Sequence, residues 1–363
     1  MERRVSVVMP VRNEAEFIAG AIRSIVRAGE GLDALEVIVV DGQSDDGTRE
    51  VVEGLMAEVP GLRLVDNPER TVPYAMNRGV RAASHDVVVR VDGHAEVYPD
   101  FLEENLAALA AHPECACVGG PIENVDLGPV SEAISLAMRS PFGVGNARFR
   151  TGGEDGYVDT LAFGAYRKAD LVRVGLFDEE LTRNQDDELN FRLLRAGRKI
   201  WFTNRIRSRY FVRGSYEKLW RQYYQYGYWK VYVNRKHGTV TNLRQLAPPA
   251  LMAWLALLLV AGLFWGPARW ALLGAVLLAA ILLPVPRLRL VVLAAYGGLA
   301  LLWPTAGLYA AVAALPLAPV TVDLGVGAFS LTEITLLVSA AAAACGRAEW
   351  RSGVYRHRLR CQS

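Results

Sequence analysis

Apolar and polar residues follow two alternating periods over the first hundred residues. Short continuous apolar runs are typical of buried strands, and apolar residues three and four positions apart are typical of amphipathic helices. The predicted strands cover residues 5–9, 35–40, 62–65 and 86–91, and the predicted helices cover 16–28, 48–58 and 74–83. Apolar strands joined by such helices indicate an α/β domain whose parallel sheet is covered on both faces.

The pattern changes after Pro248 and Pro249, where long apolar runs begin. They cover residues 250–266, 271–286, 290–315 and 328–345. Residues 248–363 contain 8 arginines, no lysine and 3 acids, whereas residues 1–247 contain 32 basic and 35 acidic residues. Because a spanning helix needs about 20 apolar residues, we expect a bundle of about four transmembrane helices over 248–346. A basic tail follows over 347–363.

The distribution of arginine predicts how this bundle is oriented. With four crossings, the loop at Arg287 and Arg289 and the basic tail fall on the side of the N-terminal domain, as the positive-inside rule requires of cytoplasmic segments. Residues 1–4 lead directly into the first strand, without the apolar segment of a secretory signal. We therefore expect a multi-pass protein of the inner (cytoplasmic) membrane, with residues 1–212 forming a cytoplasmic catalytic domain.

A basic and aromatic stretch separates the two parts. Residues 183–244 contain 15 basic and 4 acidic residues, and tyrosine and tryptophan are dense over 215–230. Such stretches bind nucleic acid or anionic lipid. Next to predicted membrane spans the lipid surface is favoured, so we assign 213–247 to amphipathic interfacial helices and expect a bilayer, and no nucleic acid, as partner.

Polar residues follow three of the predicted strands, at Pro10–Glu14, Asp41–Gly42 and Asp92–His94. In open α/β sheets, ligands bind beyond the carboxyl ends of the strands. A carboxylate and an imidazole two residues apart can reach one divalent cation, and the imidazole favours Mn²⁺ over Mg²⁺. The alternative is that Asp92–Gly93 forms an ordinary turn.

A second acidic group, Asp186, Asp187 and Glu188, precedes an amphipathic helix. Acids at a helix N-terminus complement the helix dipole, but three in a row exceed what capping needs. One of these carboxylates could act as a general base on a hydroxyl group.

These blocks, in this order, resemble the family 2 glycosyltransferases, and more closely the succinoglycan-biosynthesis glucosyltransferases of bacterial exopolysaccharide pathways. The matching blocks are Val7–Glu14, Val39–Thr48, Arg90–His94, Gln185–Leu189 and the Trp-Arg-Gln-Tyr block at Trp220–Tyr223, within a resemblance that covers about residues 4–235. The resemblance implies the GT-A (nucleotide-diphospho-sugar transferase) fold, a mixed sheet with helices on both faces, followed here by the transmembrane bundle.

The resemblance also implies residue roles. Donor-nucleotide contacts are expected from Pro10, Val11, Arg12, Glu14, Asp41, Arg70, Asn77 and Asp92. Asp92 and His94 would bind Mn²⁺ or Mg²⁺, and Asp186 would be the catalytic base, with Asp187 as the alternative. Contacts with the acceptor or its lipid phosphate are expected from Arg213, Arg221, Gln222 and Tyr226.

Three departures from the family pattern shape the expected activity. His94 replaces the second aspartate of the metal motif, Gln185 replaces the acid before the base, and the Gln-x-x-Arg-Trp motif of processive synthases is missing. We therefore expect a metal-dependent inverting hexosyltransferase that adds a single sugar, with glucose expected, from a UDP-sugar to a polyprenyl-diphosphate-linked glycan. The alternatives are a polyprenyl-phosphate sugar synthase and a non-catalytic membrane scaffold with a degenerate transferase domain; a homo-oligomer stays open.

Overall fold

The computed structural model describes residues 2–126, 128, 131–132, 134–135, 147–212, 215–264, 321–323 and 328–330. The chain forms two compact units, residues 1–241 and 242–363. Arg213, most of the apolar runs expected after residue 264 and the basic tail lie outside the described residues.

The first unit is built from strands and helices that alternate along most of its length. Its strands are β1 (Arg4–Val11), β2 (Ala34–Asp41), β3 (Leu62–Asp66), β4 (Val87–Arg90), β5 (Ala95–Val97), β6 (Cys115–Gly119), β7 (Ile122–Asp126), β8 (Gly156–Tyr157), β9 (Ala165–Arg167), β10 (Lys199–Phe202) and β11 (Ser208–Val212). Its helices are α1 (Ile18–Ala28), α2 (Thr48–Met56), α3 (Val72–Ala82), α4 (Phe101–Ala111), α5 (Arg148–Thr151), α6 (Lys168–Arg173), α7 (Gln185–Arg195) and α8 (Tyr216–His237).

Eight strands form one mixed sheet in the order β3-β2-β1-β4-β9-β6-β10-β8. The first four strands are parallel, as are β6 and β10, whereas β9 and β8 run antiparallel to their neighbours. The predicted sheet with helices on both faces is therefore confirmed, and the two short antiparallel strands make it mixed.

The alternation of side chains along the strands divides the core between the two faces of the sheet. On β1, Val7 and Met9 pack with α1, α2 and α4 on one face. Val8, between them, packs with α3, α6 and α7 on the other face. Successive residues of a strand point to opposite faces, so a continuous apolar run is what a doubly covered strand requires.

A smaller sheet, in the order β5-β11-β7, lies beyond the end of β4. Helix α8 follows β11 and spans 22 residues, within the segment 213–247 that was expected to form interfacial helices. The first compact unit includes this helix, whereas the predicted domain boundary was at residue 212.

The described part of the second unit contains a short 3₁₀ helix (Leu243–Leu246), helix α9 (Ala247–Phe264) and an antiparallel pair of strands, β12 (Thr321–Asp323) and β13 (Ala328–Ser330). Among the residues described by the structure, no helix has both the length and the apolar character needed to cross a membrane.

The close approach of α3 to β1 generates a stability prediction. A methyl group added at Gly79 of α3 would lie 2.2 Å from Cγ1 of Val8, so Gly79→Ala forces the helix away from the sheet. We expect this substitution to lower the free energy of unfolding by about 1–3 kcal/mol, measured by chemical denaturation followed by circular dichroism.

The matched control is Gly54→Ala on α2, where an added methyl group meets nothing within 4 Å. There alanine should stabilise the helix by about 0.5–1 kcal/mol through its intrinsic propensity. Equal effects of the two substitutions would contradict the packing described for α3.

Candidate active site

The loops that follow β1 and β2 are tied together. Strand pairing places Val11 opposite Asp41, so the two strands end at the same level. The amide of Asn13, which has a positive φ of 58°, donates to the hydroxyl of Ser44 at 2.9 Å. The amide of Glu14 donates to the Thr48 hydroxyl at 2.9 Å. Local hydrogen bonds therefore fix one rim of a crevice at the carboxyl edge of the sheet.

On this rim, the predicted nucleotide-binding residues differ in accessibility. Asp41 is fully buried and accepts hydrogen bonds from the Ser44 hydroxyl at 2.5 Å and from Arg49 at 3.0 Å. Pro10 is half-buried and Val11 is buried, whereas Arg12 and Arg70 are exposed. Arg70 donates to Gln43 at 2.6 Å. The two arginines are thus the polar side chains of this group that present charge to solvent.

The turn Asp92–Gly93–His94 follows β4 and packs directly on the first rim. A side chain at position 93 would lie 2.8 Å from Cγ1 of Val11 and 3.0 Å from Cγ of Glu14, so glycine allows the close approach. Nδ1 of His94 lies 2.9 Å from Oε1 of Glu14. The histidine ring meets that of Tyr210 edge-on, with 4.6 Å between the ring centroids.

This turn has the donor chemistry of a partial metal site. A carboxylate bonded to one imidazole nitrogen orients the ring and directs the other nitrogen at a cation, and Glu14 stands in that relation to His94. Nε2 of His94 makes no hydrogen bond within the described part of the chain. In the described part of the chain, no three metal-ligating side chains lie close enough together to hold a metal ion. Asp92 and His94 therefore fit as two ligands of a divalent cation, which would need further ligands from outside the described residues.

The buried Arg90 connects this turn to the first turn of α7. Its Nε donates to Asp92 at 3.0 Å, and its Nη1 donates to the carboxylate of Asp186. The arginine side chain is 6% exposed, and that of Asp186 is 22% exposed. One cation thus holds the predicted metal ligand and the predicted base on the same side of the crevice.

The electrostatic surroundings of Asp186 suit a base that works near neutral pH. Burial raises the pKa of Asp186 to about 6, with Arg90 opposing the rise and the negative charges of Asp92 and Asp187 adding to it. Burial would lower the pKa of Arg90, but the two carboxylates beside it outweigh that effect and raise its pKa. Arg90 therefore stays charged, while Asp186 can exchange a proton near its pKa.

Asp187 has a different environment from that of its neighbour. Its carboxylate accepts a hydrogen bond from the Thr160 hydroxyl at 2.6 Å and forms an ion pair with Lys230 of α8. Asp186 is likewise paired with a cation, Arg90, so ion pairing alone does not separate the two candidate bases. Gln185, which precedes the two acids, is buried, and its side-chain oxygen has no hydrogen-bond partner in the described residues. The raised pKa of Asp186 is the observation that supports it as the base, and Asp187 stays the alternative.

Helix α8 borders the crevice with part of its surface. The side-chain amide of Asn184 donates to the backbone carbonyl of Tyr226 at 2.9 Å, and Gln222 donates to the Tyr226 hydroxyl at 2.6 Å. Arg221 lies about 100° around the helix from Gln222. It is exposed and paired with Glu217 at 2.7 Å. The structure thus brings Gln222 and Tyr226 to the crevice but turns Arg221 away from it.

Asn77 is a second expected site residue that the structure places elsewhere. It is buried, and its amide donates to the Phe177 carbonyl at 2.9 Å and to Glu179 at 2.8 Å. Its own oxygen accepts from the amide of Phe177 at 2.9 Å. These hydrogen bonds anchor the Phe177 segment and occupy the side-chain amide of Asn77. The placement of Asn77 therefore does not support the contact with the donor nucleotide that was expected of it.

Two site residues were missed from the sequence, Arg90 and Lys230. Arg90 is a charged residue inside the apolar run Val87–Val91. A charge in a strand buried on both faces must be paired, so its position was itself a signal. Lys230 lies in a stretch with many other basic residues, so no local pattern distinguishes it from them.

The family model described as "Glycosyl transferase family 2" matches residues 6–175. Over 249 residues the chain is 33% identical to the succinoglycan biosynthesis protein ExoA of Rhizobium meliloti (strain 1021), a match that covers 68% of this chain and 74% of that protein. A solved mannosyltransferase from Pyrobaculum calidifontis, in complex with GDP-Man and Mn²⁺, aligns with a TM-score of 0.46 at 22% identity, over 61% of this chain and 60% of that chain.

A second curated relative is the dolichyl N-acetyl-alpha-D-glucosaminyl phosphate 3-beta-D-2,3-diacetamido-2,3-dideoxy-beta-D-glucuronosyltransferase of Methanococcus voltae. It is 26% identical over 267 residues, which cover 71% of this chain and 82% of that protein. The mixed α/β sheet is GT-A-like, as the sequence blocks implied. With the family model and the relative from Rhizobium meliloti, these observations show that the chain belongs to glycosyl transferase family 2.

Proposed function

We propose that this protein is a membrane-bound inverting glycosyltransferase that transfers one sugar, with glucose expected, from a UDP-sugar to a polyprenyl-diphosphate-linked glycan. The observation that carries the proposal is the bridge that Arg90 makes between Asp92 and Asp186. It sets a candidate diphosphate-metal site beside a candidate base, which are the two groups that glycosyl transfer needs. The two relatives, one named for succinoglycan biosynthesis and the other for sugar transfer to a dolichyl-linked sugar phosphate, support this substrate class.

In the proposed reaction, the Asp186 carboxylate takes the proton of the acceptor hydroxyl. The hydroxyl oxygen forms a bond to the anomeric carbon as the bond from that carbon to the diphosphate oxygen breaks. The electron pair of the broken bond leaves with UDP, and the configuration at the anomeric carbon inverts. This single displacement needs no nucleophile from the protein.

The metal-binding role falls to Asp92 and His94, with Glu14 orienting the histidine. A divalent metal bound there would neutralise the negative charge that develops on the diphosphate leaving group. Pro10, Val11 and Arg12 would line the pocket of the nucleoside.

The placement at a membrane draws on α8 as well as on the apolar runs of the second unit. Trp220, Tyr224 and Tyr228 are 75%, 69% and 62% exposed, and they follow one another four residues apart. Large aromatic side chains exposed in a row on a basic helix are typical of helices that lie in a lipid interface. We therefore propose that α8 rests on the cytoplasmic leaflet and that transmembrane helices anchor the chain.

The assignment of the base is tested with Asp186→Asn. We expect kcat to fall by about 10²–10⁴-fold, because the amide cannot accept the proton. The Kd for Mn²⁺-UDP should change much less than kcat, since asparagine keeps a side-chain oxygen that can accept the hydrogen bond from Arg90. The matched control, Asp100→Asn, changes an exposed acid before α4 and should leave kcat unchanged.

The pH profile of the wild-type protein gives a second test of the same residue. The base must be ionised, and the pKa of Asp186 is about 6, so kcat/KM should fall about tenfold per pH unit below that value. An ordinary aspartate would place this limb near pH 4. A flat profile between pH 5 and 7 would count against Asp186 as the base.

Metal binding is tested with Asp92→Asn. Removing the charge should weaken Mn²⁺ binding in the presence of UDP by about tenfold or more, measured by electron paramagnetic resonance, and transfer should fall in parallel. Asp100→Asn again serves as the control and should bind Mn²⁺ like the wild type. Full transfer activity of the wild type in excess EDTA would contradict the metal assignment.

The acceptor is tested by offering purified protein both polyprenyl phosphate and a polyprenyl-diphosphate-linked glycan. We expect product from the glycan-bearing lipid, measured by mass spectrometry of the extracted lipids. Product from bare polyprenyl phosphate alone would instead identify a polyprenyl-phosphate sugar synthase. If neither the wild type nor Asp186→Asn transfers sugar to either acceptor, the result would favour a non-catalytic scaffold.

A further inference from the structure

A half-buried arginine, Arg150 on α5, lies beside the crevice without an acidic partner in the described residues. Its Nη1 donates to the side-chain oxygen of Asn124 on β7 at 2.9 Å. Its guanidinium carbon lies 5.5 Å from the centre of the Tyr210 ring and 5.7 Å from that of Phe149. These aromatic contacts fix the guanidinium while leaving most of its five N–H groups unused.

Tyr210 connects Arg150 to the candidate metal site. The guanidinium of Arg150 lies over the Tyr210 ring, and the centroid of the His94 ring lies 4.6 Å from that of Tyr210. Tyr210 thus contacts both the arginine and the histidine of the candidate metal-binding turn.

Arg150 also lies near the inner side of α8. Burial raises the pKa of Tyr223, and the charge of Arg150 opposes the rise. Tyr223 meets Tyr226 edge-on, with 6.0 Å between the ring centroids. The charge of Arg150 thus acts on Tyr223 of α8, while its guanidinium contacts Tyr210 beside the metal-binding turn.

The charges around the crevice make this arginine unusual. Glu14 contacts His94, Asp92 and Asp186 share Arg90, and Asp187 is paired with Lys230. A cation kept partly out of water costs free energy unless an anion joins it. A guanidinium presents two parallel N–H groups, which match two oxygens of a phosphate.

We infer that Arg150 binds a phosphate group of a substrate in this crevice. The inference rests on the proposed function, whose donor and acceptor both carry phosphate. The group bound is a phosphate ester or a diphosphate, and it belongs either to the nucleotide or to the polyprenyl lipid. Tyr210 acts as the platform that holds the guanidinium in place.

The test compares Arg150→Gln and Arg150→Lys with a matched control, Arg148→Gln, in the full-length protein in detergent. Arg148 lies on the same helical turn, but its Nη1 donates to the backbone carbonyl of Glu154 at 2.9 Å. One arm measures the Kd for UDP with Mn²⁺ by calorimetry. The other arm measures the Kd for a short-chain polyprenyl phosphate by quenching of tryptophan fluorescence.

Arg150→Gln should weaken binding by about tenfold or more in at least one arm, because a bidentate charged contact is lost. A loss in the UDP arm assigns the phosphate to the donor, and a loss in the lipid arm assigns it to the acceptor. Arg150→Lys should recover part of the affinity as a point charge. Arg148→Gln should stay within about twofold of the wild type in both arms, since its guanidinium has a partner in the backbone.

Two outcomes would overturn the inference, and they can be told apart. If the wild type binds UDP and polyprenyl phosphate and Arg150→Gln binds both equally well, the arginine is not a phosphate ligand and the proposed function stands. If the wild type binds neither, the proposed function fails and the phosphate site fails with it. Melting curves that match the wild type exclude misfolding of the variants, and Arg150→Lys keeps the charge should glutamine disturb the fold.

Discussion

The candidate site depends on one buried cation. Arg90 belongs to β4, in the middle of the sheet, and its guanidinium contacts carboxylates from two other places in the chain: the turn after β4 and the first turn of α7. A buried arginine without these partners would be costly, and either half-buried carboxylate would lose its counter-charge without the arginine. The three groups therefore require one another, and the requirement fixes the distance between the two functional parts of the crevice.

The second constraint is the attachment of α8 to the segment around α7. Lys236 pairs with Asp178 and Glu180, His237 lies 2.9 Å from Glu188, and Lys230 pairs with Asp187. Polar contacts thus run along one side of the helix, and a fully buried Val233 lies between them. Because these contacts include the residue next to the candidate base, any displacement of α8 changes the surroundings of that base.

Local sequence patterns predicted the longer strands and helices of this fold. They could not predict very short strands or contacts between residues far apart in the sequence. The strand expected at 35–40 is observed as Ala34–Asp41, and the helix expected at 74–83 is observed as Val72–Ala82, because apolar periodicity reports burial directly. Strands β8 and β9, of two and three residues, are too short to show a period. The pairing of Arg90 with Asp186 could not be predicted, since the two residues lie 96 positions apart in the sequence. The family resemblance pointed to the crevice, but helical geometry, which no motif records, separates Arg221 from Gln222.

The two sides of α8 set a length scale for the acceptor. Trp220, Tyr224 and Tyr228 lie on the side opposite Tyr226 and Lys230, since residues four apart advance by only about 40° around a helix. With those rings resting on lipid, the crevice stands about 10 Å, one helix diameter, from that surface. Sugars attached to a lipid phosphate extend away from the lipid surface over such a distance. The thickness of a single helix would then set how far the reacting hydroxyl lies from the lipid surface.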